Sequence, residues 1–499
     1  PRSVPPMTTP CTAHPSRARS WTSVRFALLL AAVSGPLGAQ ASRTALAPGT
    51  WAITNVNVIA MTKEGIVLPQ GVVIVHDGRI AAVGRAADVT IPAGARRIDG
   101  RGGYLLPGFA DMHTHLYADQ YVPDSVGRAE MGILLANGIT SARLMIGTPA
   151  QLALRREIEA GRVVGPNLWS ASPHLTGRPD TNARLVTTPE QARAAVAEVG
   201  GAYDFVKITS FIKPDVYEAI MAEAKRRGLR VDGHVNTGVS VRRAAELGQN
   251  LQHLDGWFEA ILVDSAAGRV SLTQYGVFDL AKWATLDYVD ERKIAPLAGF
   301  VARSGVWSTP TLALFNTVFA AGETDAEVRA RPDWALIPEK FRDEILKARV
   351  EYWAPATTAA RTRARRHRYV ELRNKFAKAL ADSGARLLAG SDAPDWLMAE
   401  GYTLHRELAA LVAAGIRPAL VLAMATRNAA EFLDASAEWG TIEPGKRADL
   451  VLLGANPLAD ISNTQRIEAT AVGGRWISKP DLRAMVEKAA RELNPRDRE

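Results

Sequence analysis

The chain has 499 residues, a net charge of +8, and 47% hydrophobic against 22% charged residues. With a mean hydropathy of −0.05, that balance excludes a disordered, collagen-like or polytopic membrane chain. The single cysteine, Cys11, excludes an internal disulfide framework and any multi-cysteine metal site.

Arg2, Arg17, Arg19 and Arg25 are the only charged residues of 1–41, and without them 56 basic residues face 52 acidic ones. That small excess is spread along the chain and offers no nucleic-acid surface. Arg17, Arg19 and Arg25 precede the apolar run Phe26–Val33, and Ala39-Gln40-Ala41 places small residues two apart. This is the pattern of a secretory signal peptide. The run is too short for a permanent membrane span, and no cysteine follows it to carry a lipid. Met7 reads as the start, and the mature chain is expected to begin near Ser42, secreted or periplasmic.

Residues 51–59 and 71–84 are rich in β-branched side chains, and Asp77-Gly78 between two apolar runs predicts a hairpin. Ala448–Leu453 and Ala469–Ile477 look alike at the other end. The two ends are therefore expected to form one small β-sandwich domain, from residues 42–105 and 437–480, with a C-terminal helix or tail over 481–499. Between them, short apolar runs alternate with helical stretches. Tyr203–Ile208 reads as a strand, and Pro214 opens a helix that Gly228 ends. Arg230–Val235 is a strand, Val241–Leu247 a helix and Asn250–Asp255 a strand. Strand–helix alternation over more than 300 residues predicts an α/β fold, a (β/α)8 TIM-like barrel over 106–436. An open doubly wound sheet is the alternative, but no G-x-G-x-x-G follows an early strand. Residues 315–380 read as helical and charged, and the basic run Arg361–Arg368 as a solvated helix face or a lid.

There are nine histidines. His113 and His115 fall at positions i and i+2 of a predicted strand, where both imidazoles share a face. Lys207 ends the run Phe205-Val206, where a buried lysine is costly unless it has a task. His234 and His253 also end predicted strands, and Asp392 ends Leu387-Leu-Ala-Gly-Ser-Asp392. Singly, each reads equally as a core histidine, a rim lysine or a helix cap. Together they all fall at the C-terminal ends of barrel strands, where barrel active sites lie. Imidazoles with carboxylate oxygens suit zinc or a similar divalent ion.

Pro107-Gly-Phe-Ala-Asp-Met-His-Thr-His115 is followed in order by a lone Lys, His, His and Asp, and by the tail Gly440-Thr-Ile-Glu-Pro-Gly-Lys-Arg-Ala-Asp-Leu-Val451. With the Gly71–Gly84 hairpin, these motifs resemble the amidohydrolase superfamily over residues 50–478. They are similar in particular to its binuclear branch, related to imidazolonepropionase, Xaa-Pro dipeptidase and ochratoxin-hydrolysing amidases. The resemblance implies two divalent ions, zinc by default. His113 and His115 would bind the more buried ion, and His234 and His253 the second. Lys207 would bridge them as a CO2-derived carbamate, and Asp392 would be both ligand and proton shuttle. It implies hydrolysis of a small-molecule amide (a dipeptide or an N-acyl amino acid such as ochratoxin A) by a metal-activated hydroxide, in a homo-oligomer. Other reactions of the superfamily stand as the alternative: hydrolysis of a cyclic amide, lactone or ester, or deamination. Lys207 and the absence of an H-x-x-E glutamate after His253 argue against a one-metal deaminase. Gly165–Gly177 is similar to the segment after the second strand, which many relatives continue with Gly-Gly-His. Here Arg178-Pro179 stands instead, so His174, Arg178 and Tyr117 are the candidate substrate contacts.

Overall fold

A computed structural model describes residues 49–495 except 120–122, 124–125, 181–182, 210, 237, 265–285, 321–322, 340, 345, 348–359 and 396. These fall within one compact unit, Arg43–Glu499. The expected signal segment, 1–41, lies outside the described residues.

Five strands come first: β1 (Thr50–Val58), β2 (Leu68–His76), β3 (Arg79–Arg85), β4 (Arg96–Asp99) and β5 (Tyr104–Pro107). Asp77 and Gly78 turn β2 into β3 with φ of 46° and 80°, the left-handed pair that a tight hairpin demands. The last three strands, β16 (Leu450–Leu453), β17 (Ile467–Val472) and β18 (Arg475–Ser478), return to the same place. β16 pairs antiparallel with β5, so both ends of the chain enter one eight-stranded sheet, ordered β18-β17-β16-β5-β1-β2-β3 with β4 on β1. Trp51, Val73, Leu105, Leu450 and Ala471 share an apolar cluster on it. Asp449, from the Gly440–Val451 tail motif, explains that motif structurally. Its buried carboxylate accepts from Gly473 N at 2.7 Å, from Asn167 Nδ2 at 3.1 Å and from Arg447 Nε at 2.6 Å.

The middle of the chain supplies ten strands: β6 (Phe109–Thr114), β7 (Ile139–Leu144), β8 (Asn167–Ser170), β9 (His174–Thr176), β10 (Ala183–Leu185), β11 (Val206–Ile208), β12 (Val231–Gly233), β13 (Asn250–Gln252), β14 (Trp307–Thr309) and β15 (Arg386–Leu387). They form a three-stranded sheet, β6-β7-β8, and a seven-stranded one, β10-β9-β11-β12-β13-β14-β15, all paired parallel. Parallel bridges link the two sheets, Ala171–Phe205 joining the end of β8 to the start of β11 and Thr114–Ala393 joining β6 to the segment after β15. Helices fill the connections, as parallel strands require. Those over Pro149–Glu159, Pro189–Val199 and Pro214–Arg227 each begin at a proline, whose missing N–H costs nothing there. Thr148 and Thr188 cap the first two, and Gly228, at φ 68°, ends the third.

Two sequence readings need adjustment. Ala469–Ile477 is two strands, because Gly473 and Gly474 at φ 54° and 81° fold it into a hairpin. The basic run is not uniformly solvated. It lies on the helix Ala360–Asp382, where Arg363 is exposed and Arg366 buried, since a period of 3.6 residues divides any run between two faces.

Candidate metal centre

β6 carries His113 and, one residue past its end, His115. Lys207 is the middle residue of β11, while His234 and His253 each follow the last residue of β12 and β13. Asp392 lies five residues past β15. Its backbone N–H donates to His113 O at 2.7 Å, which lays the segment along the first strand. His253 and Asp392 have φ of 59° and 58°. These are left-handed conformations that a non-glycine residue adopts only where its surroundings over-determine it.

Of the six expected ligands, His113, His115, His253 and Asp392 come into direct contact, and His234 packs beside them. His113 Nε2 lies 3.0 Å from Asp392 Oδ1, His115 Nε2 3.2 Å from the same oxygen, and His253 Nδ1 3.4 Å from Oδ2. One ligand atom each from His113, His253 and Asp392 falls within 4.8 Å of the others. His234 stacks on His253 with ring centroids 4.6 Å apart. Lys207 is 2% exposed, and its charge is felt by His113, His115, His174 and His253, holding all four imidazoles down in addition to their burial. Burial pushes Lys207 itself down to about 8.

The donor set fits a cation. Burial drops the His113 imidazole to about 3, so at neutral pH it carries no second proton. Burial alone would raise the Asp392 carboxyl, but the histidines against it hold it well below the usual carboxylate range. Neutral His113 thus has one proton for two acceptors, Gln252 Oε1 at 2.7 Å on one side and Asp392 Oδ1 at 3.0 Å on the other, and a cation at Nε2 relieves that competition. His115 Nδ1 is a further buried nitrogen with no hydrogen-bond partner among the described residues.

His113, His234 and His253 each have a ring nitrogen held by a neighbouring side chain, as metal-binding imidazoles usually do, and for His253 this is the same Nδ1 that faces Asp392. His113 Nδ1 meets Gln252 Oε1 at 2.7 Å, His234 Nδ1 meets Asp255 Oδ2 at 2.7 Å, and His253 Nδ1 meets Thr311 Oγ1 at 2.9 Å. Arg373, buried on the helix Ala360–Asp382, donates to His253 O and so ties that helix to the rim. The sequence reading did not single out these partners. Gln252 and Asp255 lay within the expected strand Asn250–Asp255 without being read as partners; Thr311 and Arg373 carry no local signal.

The candidate substrate contacts differ among themselves. His174 is near the charges of Lys207, His115 and His234, with its Nε2 donating to Met145 O at 2.8 Å. Arg178 lies over the Phe211 ring, 4.1 Å from its centroid. Tyr117 is fully buried, with its ring 5.9 Å from Phe341 and its backbone N–H on Glu130.

Gly390 shows how tightly the centre is built. A Cβ there would lie 2.7 Å from His113 Cβ, from His113 N and from Thr309 Cγ2. Gly390→Ala is expected to cost about 1–3 kcal/mol, the usual scale of overpacking, and to weaken metal binding. Denaturant unfolding and a metal titration check both.

The profile of the amidohydrolase family matches residues 104–477. An imidazolonepropionase from Anaeromyxobacter dehalogenans is 29% identical over 265 residues, covering 41% of this chain and 62% of that protein. Its alignment thus spans about three fifths of that relative's own length. Among solved structures, a bottromycin amidohydrolase superposes with a TM-score of 0.70 at 23% identity, covering 92% of this chain and 94% of that one. A Xaa-Pro dipeptidase with bound methionine in its active site superposes with a TM-score of 0.61 at 17% identity, covering 86% of this chain and all of that one (100%). At these identities the likeness shows the fold alone.

Proposed function

Because this chain belongs to the amidohydrolase family, we propose that it is a binuclear metal-dependent hydrolase. Its substrates would be amides of small molecules: dipeptides, Xaa-Pro among them, and N-acyl amino acids such as ochratoxin A. The observation that carries this reading is the buried cluster of His113, His253 and Asp392, with ligand atoms within 4.8 Å of one another. Inside it the one proton of neutral His113 faces two acceptors, Gln252 and Asp392. With it we infer a (β/α)8 barrel bearing a small β-sandwich domain from both termini, divided at 105/106 and 436/437. The parallel series β6 to β15 and the β16–β5 pairing support that division. We also infer an exported, homo-oligomeric enzyme. Export rests on the pattern of residues 17–41, and no helix among the described residues is long and apolar enough to cross a membrane.

His113, His115 and Asp392 would hold one ion, His234 and His253 the other, and the carbamate of Lys207 would serve both. The compact cluster takes members from both sets, so the two sites adjoin. Divalent ions bound there supply acidification of water and polarisation of the scissile carbonyl. Asp392 accepts the attacking water's proton on a carboxylate oxygen and delivers it to the leaving nitrogen. Lys207 Nζ, made less basic by burial, forms its N–C bond to CO2 as the neutral amine and releases a proton. The alternative is another reaction of the superfamily, namely hydrolysis of a cyclic amide, lactone or ester, or deamination. The buried Lys207 favours two metals over a one-metal deaminase.

Purified protein is expected to hold about two divalent ions per chain, as two-metal hydrolases do, and to hydrolyse at least one dipeptide or N-acyl amino acid. Chelation should abolish that activity and zinc restore it. Elemental analysis giving one ion or fewer with full activity overturns the two-metal assignment.

A further inference from the structure

We propose that Arg143 and Asp232 are positioning residues for His113, acting through Gln252 to decide which of its nitrogens carries the proton. The four residues come from four different strands, β7, β12, β13 and β6, and form one line of directed hydrogen bonds in the interior. Arg143 Nη1 donates to Asp232 Oδ1 at 2.9 Å, Gln252 Nε2 donates to that same oxygen at 2.9 Å, and Gln252 Oε1 faces His113 Nδ1 at 2.7 Å. Arg143, Asp232 and Gln252 are all fully buried.

The direction of each bond follows from what each group can do. A carboxylate only accepts, so Asp232 obliges Gln252 to turn its NH2 inward. That leaves the Gln252 carbonyl facing His113, and a carbonyl also only accepts. Gln252 therefore draws the single proton of His113 to Nδ1, against the Asp392 carboxylate that draws it to Nε2 from 3.0 Å; a metal-binding Nε2 needs the first of these to prevail. A glutamine beside any other neighbour could flip end for end; this one cannot.

Arg143 makes the arrangement sustainable. A buried carboxylate needs a countercharge, and a guanidinium never deprotonates in a protein. Arg143 is wedged between Phe205 and Phe432, 5.1 and 4.7 Å from their ring centroids, and its Nε donates to Met112 O at 2.6 Å. It thus also holds the backbone directly before His113. Asn250 Nδ2 occupies the other Asp232 oxygen at 3.2 Å. The other imidazoles are oriented differently, His234 by a carboxylate and His253 by a hydroxyl, so this line belongs to His113 alone among the three.

The significance of the Nε2 lone pair rests on the metal-site reading above, but the tautomer can be read in metal-free protein. In Asp232→Asn the introduced amide can donate to Gln252, which frees Gln252 to flip and present its NH2 to Nδ1. Nitrogen-15 spectra of histidine-labelled, metal-free protein should then show the His113 proton shifted from Nδ1 towards Nε2 relative to the wild type. Zinc affinity, measured by chelator competition, should fall roughly 10- to 100-fold, the scale for losing a group that orients a metal ligand. The double variant D232N/Q252E keeps one carboxylate in the pair, now the acceptor against His113, and should restore both the tautomer and the zinc affinity. Gln252→Met removes the acceptor but leaves Arg143 and Asp232 paired, and should lose zinc affinity as D232N does. Should D232N fail to fold, the double variant and Q252M carry the test. An unchanged tautomer and zinc affinity in D232N or Q252M, or a folded double variant that restores neither, overturns the proposal. If the wild-type protein binds no zinc, the metal-site reading fails, while the tautomer shift still decides the role of Arg143 and Asp232.

Discussion

Asp392→Asn is expected to lower turnover by roughly 10² to 10⁴, the scale of losing a general acid or base, while metal content falls far less. The amide keeps the size of the side chain and an oxygen that can still face a cation, but it cannot take a proton from water. Four histidines and Lys207 remain to hold the ions. The structure adds a reason why the carboxylate stays ionised. The histidines around it hold it well below the usual carboxylate range in spite of its burial. An aspartate that served only to shape the turn after β15 would behave differently, with reduced thermal stability and turnover nearly intact. Turnover and metal content measured on one purified Asp392→Asn sample separate the cases. Normal turnover refutes the catalytic role, and lost turnover together with lost metal leaves Asp392 a ligand only.

The positions of the expected ligands were readable in the sequence for a physical reason. A sheet covered on both faces disfavours unpaired charged side chains in its interior. A histidine, lysine or aspartate that closes an apolar run is therefore informative, and six of them in order carried the expectation of a metal site. Turn chemistry was equally plain at Asp77-Gly78 and at the Pro214–Arg227 helix, where the residues admit few conformations. Strand lengths were not readable. Arg230–Val235 reads as six residues, yet β12 runs only from Val231 to Gly233. No propensity assigns a left-handed conformation to His253 or Asp392; tertiary packing imposes it. The supports behind the ligands were invisible for a related reason. Arg143, Asp232 and Gln252 meet only because the fold brings β7 of one sheet against β12 and β13 of the other, and nothing within Ser141-Ala-Arg143-Leu or Val231-Asp232-Gly marks a partner in a distant segment.

Lys207→Ala is expected to lower turnover by about 10²- to 10³-fold. Removing the bridge between two ions forfeits several kcal/mol of charge stabilisation, at about 1.4 kcal/mol per decade of rate. Acetate or propionate should restore part of the activity by occupying the gap with a carboxylate. Lys207→Arg should fail as well, because a guanidinium stays protonated and offers no amine to CO2. The pH dependence follows from burial, which brings the ammonium down to about 8. Below that value the group is charged and inert towards CO2; above it the neutral amine predominates. Carbamate formation in metal-free protein should therefore rise as pH climbs through 8, visible as a carbamate carbon signal after adding ¹³C-bicarbonate and missing in Lys207→Ala. A lysine that merely reached for solvent from the strand end would show none of this. It would titrate higher, form no carbamate and accept arginine without loss, so near-normal turnover in Lys207→Arg would sink the bridging role. The burial of Lys207, at 2% exposure in the middle of β11, already argues against that outcome, since an amine kept from water must answer to some partner within the site.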